Sequence, residues 1–257
     1  MKSDLARAFS RARSGSEQDF ISLVGRYESL VFGYFRTVAP ERLTESMNAT
    51  QQVFFRLWEN LGRMSRLTDF ERELVAELAG RDSRPVSAPA DRRLAALAQL
   101  SPRDRVVALA VEIGNWTVDD AARAFEVSRP RMEQDLLRIR CDLIGVHFIN
   151  LSEDEKRVLR EVSTHLCRDL SKKQRKRIAE ATCRSPQLRE FKARCLEKRC
   201  EMVELWLDFR LSAEEEEWLR EGILDLVRRA REQRLALPGP GIRWLQPLRR
   251  RKRLPAS

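Results

Sequence analysis

Residues 117–140 have the sequence TVDDAARAFEVSRPRMEQDLLRIR, which contains two helix starts in close succession. Thr117 is a favourable N-cap residue, and Asp120 three residues later completes a capping box. Ser128 is a second N-cap, and it begins a longer helix that we expect to end near Ile144. A short helix, a tight turn and a longer helix are typical of a DNA-binding helix-turn-helix. A trihelical core unit without a DNA partner has the same pattern, so both interpretations stay open here.

The second helix of this pair carries side chains that suit base recognition at its N-terminal end. Arg129, Arg131 and Gln134 lie there, and both Arg and Gln form paired hydrogen bonds with base edges in the major groove. Glu133 and Asp135 lie on the same helix. Their carboxylates weaken binding to phosphate unless they face solvent or the protein, because like charges repel.

Apolar residues recur at helical spacing upstream of this stretch. Ser16 with Asp19 begins one helix, a second covers about 43–61, and a third begins at Thr68. Pro102 begins the helix that precedes the pair, since proline fits the first helical turn. No window of the chain alternates polar and apolar residues as a strand does, so the sequence predicts an all-α fold.

Four more helix starts follow in the last third of the chain, at Ser152, Ser171, Ser185 and Ser212. They predict a small helical bundle. The starts at Ser152 and Ser212 share the pattern Leu-Ser-x-x-Glu. The shared pattern indicates either an internal duplication or two independently evolved helix caps.

The positive charge of the chain is concentrated in that last third. The 49 Lys and Arg residues exceed the 39 Asp and Glu residues and give a net charge of +10, yet residues 1–150 are almost neutral. One basic cluster lies at 172–177 and another at 243–253. The first is either a solvated helix face or a contact for phosphate or an acidic protein. The second is either an arm that binds the DNA backbone or an inert tail.

The Cys and His residues give little support for metal binding or catalysis. A zinc site would need His165, Cys167, Cys183, Cys195 and Cys200, whose spacing lacks the common Cys-x2-Cys pair, so we expect buried or idle thiols. No nucleophile–base pair and no glycine-rich phosphate loop is visible, so we expect neither an enzyme nor a cofactor. The sequence shows no secretory signal and no apolar run long enough to span a membrane, which favours a cytoplasmic protein.

Two motifs of the chain together are typical of one protein family. The first is NATQQVFFRLW at 48–58, with Gln, Phe and Trp at the family's spacing. The second covers 97–140 and is carried by Leu97, Leu100, Ser101, Arg105, Ala121, Ala122, Ser128, Arg138 and Arg140. Over about residues 17–145 the chain therefore resembles a bacterial RNA polymerase sigma factor of the extracytoplasmic-function (ECF) group.

The resemblance implies a division of the chain into helical segments. Residues 1–84 would form a sigma region-2-like domain, 85–92 a linker and 93–149 a region-4-like helix-turn-helix domain. The rest lies outside the minimal plan of the family. We expect 150–236 to be a helical extension and 237–257 a flexible basic tail.

The same resemblance implies core RNA polymerase and promoter DNA as partners, and an anti-sigma factor is a further candidate. The residues implied to bind polymerase are Asn48, Gln51, Gln52, Phe54 and Arg56. Those implied to meet the melted −10 strand are Trp58, Arg63, Arg66, Arg81 and Arg84. Those implied to bind the −35 duplex are Thr117, Ser128, Arg129, Arg131, Gln134, Arg138 and Arg140.

The chain departs from the family at several of these positions. Asn48 and Gln52 replace two carboxylates of the polymerase-binding motif. A neutral hydrogen bond contributes roughly 0.5–1.5 kcal/mol, whereas a charged one contributes roughly 1.5–3 kcal/mol. The alternative function is therefore a helix-turn-helix regulator or scaffold that has lost initiation.

Overall fold

The computed structural model describes residues 2–80, 91–148, 152–166 and 171–236, and every regular element within these ranges is helical. This confirms the predicted all-α class. The α-helices are α1 Lys2–Arg13, α2 Glu17–Val38, α3 Leu43–Asn60, α4 Leu67–Ala79, α5 Arg92–Gln99, α6 Pro102–Ala108, α7 Val118–Ala124, α8 Arg129–Leu143, α9 Glu153–His165, α10 Lys172–Arg184, α11 Pro186–Asp208 and α12 Ala213–Ala236. A 3-10 turn at Leu61–Arg63 follows α3, and a π-helical turn at Leu109–Ile113 extends α6.

Polar N-caps begin these helices as the sequence predicts. The hydroxyl groups of Ser16, Ser128 and Ser185 each accept a hydrogen bond from a backbone amide in the first turn. Thr117 and Asp120 form the reciprocal capping box at the start of α7. The third predicted helix begins one residue early, at Leu67, and the sequence reasoning did not identify α1 or α5.

One hydrophobic core joins the two segments that the resemblance assigns to separate domains. The central helix α2 packs against α1, α3, α5, α6 and α12. The Tyr27 ring on α2 lies 5.7 Å from the ring of Phe70 in α4 and 6.3 Å from that of Trp116 before α7. Residues of α6, α7 and α8 belong to the same buried cluster. The described parts of 1–84 and 93–149 therefore share their apolar interior.

The extension divides between two packing sites. A smaller cluster joins Leu137 and Cys141 of α8 to Val162 of α9 and Phe191 of α11. By contrast, α12 packs against α3 and α2, and it contributes three fully buried residues, Leu219, Ile223 and Val227, to the larger core. Because α12 packs mainly against α3 and α2, the predicted bundle is limited to α9, α10 and α11.

A glycine allows α11 to lie close to α2. A Cβ atom built on Gly33 would stand 2.2 Å from the Trp206 ring, so no larger residue fits there without displacement of the tryptophan. None of the described helices is both long and apolar enough to cross a membrane.

The shared core predicts that the packing of α12 contributes to the stability of the N-terminal helices. Ile223→Ala should lower the free energy of unfolding of the whole chain by about 2–5 kcal/mol, because it leaves a cavity in a fully buried site. The measurement is urea unfolding followed by tryptophan fluorescence and by circular dichroism. The control, Leu207→Ala on the exposed side of α11, should change it by less than about 0.5 kcal/mol. Two separate transitions, with only one affected by Ile223→Ala, would contradict the shared core.

Candidate functional site

Helix α3 presents only part of its predicted polymerase-binding surface to solvent. Asn48, Gln52 and Arg56 recur every four residues on one exposed face. The Nη1 atom of Arg56 lies 3.0 Å from Oε2 of Glu77 on α4. Phe54 is fully buried in the core, so its role is structural in this arrangement.

Gln51 lies beneath α12. Its side chain is 8% exposed, and Nε2 donates a hydrogen bond of 3.5 Å to the carbonyl oxygen of Leu219. A Cβ atom built on Gly222 would stand 1.9 Å from the same Nε2 atom. The glycine therefore permits the close approach of α12 to α3, and this approach removes Gln51 from the accessible surface.

Trp58 is also engaged inside the protein. Its ring packs edge-on against Phe20 with centroids 5.0 Å apart, and the guanidinium of Arg231 from α12 lies 4.8 Å from its centroid. Trp58 is half-buried, and a base stacked on the face that Arg231 occupies would have to displace the guanidinium.

The other residues implied to bind the −10 strand are placed only in part. Arg63 and Arg66 are exposed. Arg63 is the last residue of the 3-10 turn, and Arg66 directly precedes α4. Asp69 lies 3.9 Å from Arg66 and competes there with any phosphate. Arg81 and Arg84 lie outside the described residues.

Two groups of ion pairs join α12 to α2. Arg220 binds both carboxylate oxygens of Glu28, and the bond from Nε is 2.9 Å long. Glu28 is only 4% exposed, and the hydrogen bond to its carboxylate raises the pKa of Arg220. At the other end of the contact between α12 and α2, Arg231 lies 2.5 Å and Arg228 lies 3.3 Å from Glu17.

The helix-turn-helix has the predicted helices and a strained turn. The Thr117 and Ser128 side chains serve as the helix caps described above, which occupies them within the protein. Glu126 in the turn has a φ of 53°, in the left-handed region that favours glycine. An ion pair of 2.7 Å with Arg72 of α4 holds this residue in place.

The N-terminal half of α8 exposes two of the three predicted base-reading residues. Gln134 is exposed, and the Arg131 side chain is 62% exposed beside Asp135, from which its Nε lies 3.2 Å away. Arg129 is half-buried and lies 2.7 Å from Asp119 and 3.0 Å from Glu133. Arg131 and Gln134, three residues apart, therefore share an accessible side of α8, whereas Arg129 lies on another side with its two carboxylate partners.

The C-terminal half of α8 turns its arginines inward. Arg140 is 4% exposed, and its Nη2 lies 2.6 Å from Glu112 of the π-helical turn. Its Nη1 donates to the carbonyl and hydroxyl oxygens of Ser163 on α9. The implied phosphate contact of Arg140 is therefore blocked in this structure, where the residue instead joins the helix-turn-helix to the extension.

Arg138 forms a bidentate ion pair with Asp104, in which Nη1 lies 3.0 Å from Oδ2 and Nη2 lies 2.6 Å from Oδ1. Burial alone would raise the pKa of Asp104, but hydrogen bonds from Arg138 and Ser101 outweigh it and lower the pKa below its ordinary value. The pairing holds α8 against α6 and leaves Arg138 one-third exposed, so its implied phosphate role has to compete with Asp104.

The candidate metal ligands do not form a site among the described residues. Cys195 and Cys141 are buried, and burial raises the pKa of both thiols to about 12. Cys183 and Cys200 are exposed, and the described residues contain no cluster of three metal ligands. The His165 side chain and Cys167 lie outside the description.

The two basic clusters differ in how far the structure describes them. Lys172, Lys173 and Lys176 are exposed on α10. The cluster at 243–253 lies outside the described residues.

The sequence reasoning missed the residues that join α12 to α2. Glu17 and Glu28 stand eleven residues apart, and so do Arg220 and Arg231. Eleven residues make close to three helical turns, so each pair lies on one face of its helix and two antiparallel helices bring them into register. This matched spacing of opposite charges was the available signal.

Comparison with protein-family models, with curated proteins and with solved structures finds no match to the chain.

The Asp104–Arg138 pair predicts a specific loss of stability in acid. A carboxylate whose pKa is lowered in the folded state stabilises the protein above its unfolded pKa, and this stabilisation disappears as the pH falls through the folded pKa. Asp104→Asn should therefore lower the free energy of unfolding at neutral pH by about 1–3 kcal/mol. In this variant the free energy of unfolding should also fall less steeply between about pH 5 and pH 3.

Urea unfolding at a series of pH values measures both effects. Asp225→Asn is the matched control, because Asp225 is exposed on α12 and its nearest cation, Arg229, lies 3.9 Å away. An Asp104→Asn protein with the same acid profile as the wild type would show that the pair does not contribute to stability.

Proposed function

We propose that this chain is a sigma-type transcription initiation factor similar to the ECF group, which binds core RNA polymerase and directs it to promoter DNA. The observation that carries the proposal is the exposed N-terminal half of α8. There a capped helix presents Arg131 and Gln134 to solvent.

This part of α8 suits the reading of base edges. The N-cap bond from the Arg131 amide to Ser128 stabilises the first turn of the helix. In a DNA-binding helix-turn-helix, the N-terminal residues of the second helix lie nearest the bases. Arg then offers two donors to guanine, and Gln offers one donor and one acceptor to adenine. Because Arg138 and Arg140 bind internal carboxylates, we assign promoter recognition chiefly to the first two turns of α8.

The exposed face of α3 supports the polymerase part of the proposal. Asn48, Gln52 and Arg56 form a straight polar row along the helix, which suits docking against another helix. Asn48 and Gln52 are uncharged, so at these two positions polymerase binding depends on surface fit and on neutral hydrogen bonds.

A second function, a helix-turn-helix regulator without initiation activity, is favoured by a different observation. Gln51 and Trp58, which the resemblance assigns to polymerase and to the −10 strand, are both covered by α12. A protein that only binds duplex DNA would need neither residue to be free.

Polymerase binding and transcription in vitro separate the two functions. We expect the full chain to co-purify with core RNA polymerase and to support run-off transcription from duplexes that the complex selects out of a randomised library. Duplex binding without polymerase binding would establish the regulator instead. Loss of both activities would contradict the proposed function and its alternative.

Substitutions in α8 test the assignment of base reading. Arg131→Ala and Gln134→Ala should each weaken binding to the selected duplex by about 1–3 kcal/mol and relax selectivity at one or two base pairs. The control is Arg7→Ala, which removes one exposed arginine on α1, far from α8 in the sequence. Fluorescence anisotropy at fixed salt gives the affinities. An equal loss on all duplex sequences would show that these residues bind only phosphate.

A further inference from the structure

We propose that α12 is a built-in competitor for the α3 surface, which occupies one edge of that surface within the same chain until polymerase displaces it. The inference rests on the proposed function, and it adds a partner for the covered surface and a means of control. The surface accepts one amphipathic helix at a time, either α12 or a helix of the polymerase.

The first support is the overlap between the two footprints. Gln51 stands three residues from Asn48 and next to Gln52, so the three side chains lie on adjacent rows of α3. Asn48 and Gln52 are exposed, while Gln51 lies under Leu219 and Gly222. A helix that contacts all three side chains would occupy space that α12 now fills.

The second support is that α12 fits this surface in detail. Its apolar residues Leu219, Ile223 and Val227 recur every four positions and are fully buried. Gly222 lies beside them at the point of closest approach to α3. Apolar anchors at helical spacing are the pattern by which an amphipathic helix docks in a groove.

The third support is the charge pattern at the rim of the contact. Arg220 pairs with Glu28 and Arg231 pairs with Glu17, so cations on α12 match carboxylates on α2 at both ends. The Arg231 side chain remains 38% exposed, which leaves this end of the contact open to water and to competition.

Hydrogen bonds within α12 itself stabilise its first turn, so α12 can stay helical after polymerase displaces it from α3. Ser212 accepts a hydrogen bond from the Glu215 amide, and Glu215 accepts one of 2.7 Å from the Ser212 amide. This capping box stabilises the start of α12 without any contact to α3. The short Phe209–Ser212 connection keeps a released α12 close, and such tethering gives effective concentrations of about millimolar order.

A charge reversal at the rim tests the competition. Arg220→Glu places a carboxylate against buried Glu28 and should release α12. We expect it to tighten the binding of core polymerase by about tenfold or more, because the competent fraction of the chain rises. Arg229→Glu is the matched control, since it makes the same charge change on the exposed side of α12 and should leave affinity unchanged. The double variant Glu28→Arg/Arg220→Glu should restore the pair and return affinity toward the wild-type value.

Hydrogen exchange of the α12 amides reports release independently of polymerase. Faster exchange in Arg220→Glu together with tighter polymerase binding supports the proposal. Faster exchange with unchanged or weaker polymerase binding overturns it and leaves the proposed function intact. If neither wild type nor Arg220→Glu binds polymerase while exchange is faster, the proposed function fails and the competition fails with it. If exchange does not change, Gly222→Glu, which clashes with Gln51, replaces Arg220→Glu, and the same outcomes apply.

Discussion

The close approach of Gly222 to Gln51 determines how α12 lies on α3. Because this contact has no room for a Cβ atom, α12 settles against α3 with its apolar stripe in the core and its arginines over the carboxylates of α2. A second glycine, Gly33, lets Trp206 of α11 settle against α2 in the same way. The helix-turn-helix, the N-terminal helices and the extension are consequently one packed unit within the described residues.

Internal carboxylates take up much of the positive charge that would otherwise mark a nucleic-acid-binding surface. Arg138 and Arg140 on α8 bind Asp104 and Glu112, and Arg220 binds Glu28. Breaking the pair of Arg140 with Glu112 would leave a buried charge, so we expect Arg140 to stay in place. The proposed promoter recognition therefore depends on Arg131 and Gln134 in the first half of α8.

Local signals in the sequence predicted the helices well, and long-range packing was beyond them. The Ser and Thr caps identified the starts of α2, α7, α8 and α11 because a cap acts within one helical turn. The arginine pattern at Arg138 and Arg140 looks the same whether the side chains face phosphate or a buried carboxylate, so their inward direction could not be predicted. The cover over Gln51 depends on Gly222, 171 positions away, and only the matched spacing of Glu17, Glu28, Arg220 and Arg231 pointed to it.

Hydrogen–deuterium exchange of the wild-type chain, with and without core RNA polymerase, tests most directly whether α12 and polymerase compete for α3. In the free chain the α12 amides should be protected, because the helix is packed into the core. On addition of saturating polymerase, α12 should exchange faster while α3 becomes more protected. Protection of α12 that stays the same or increases in the polymerase complex would contradict the competition.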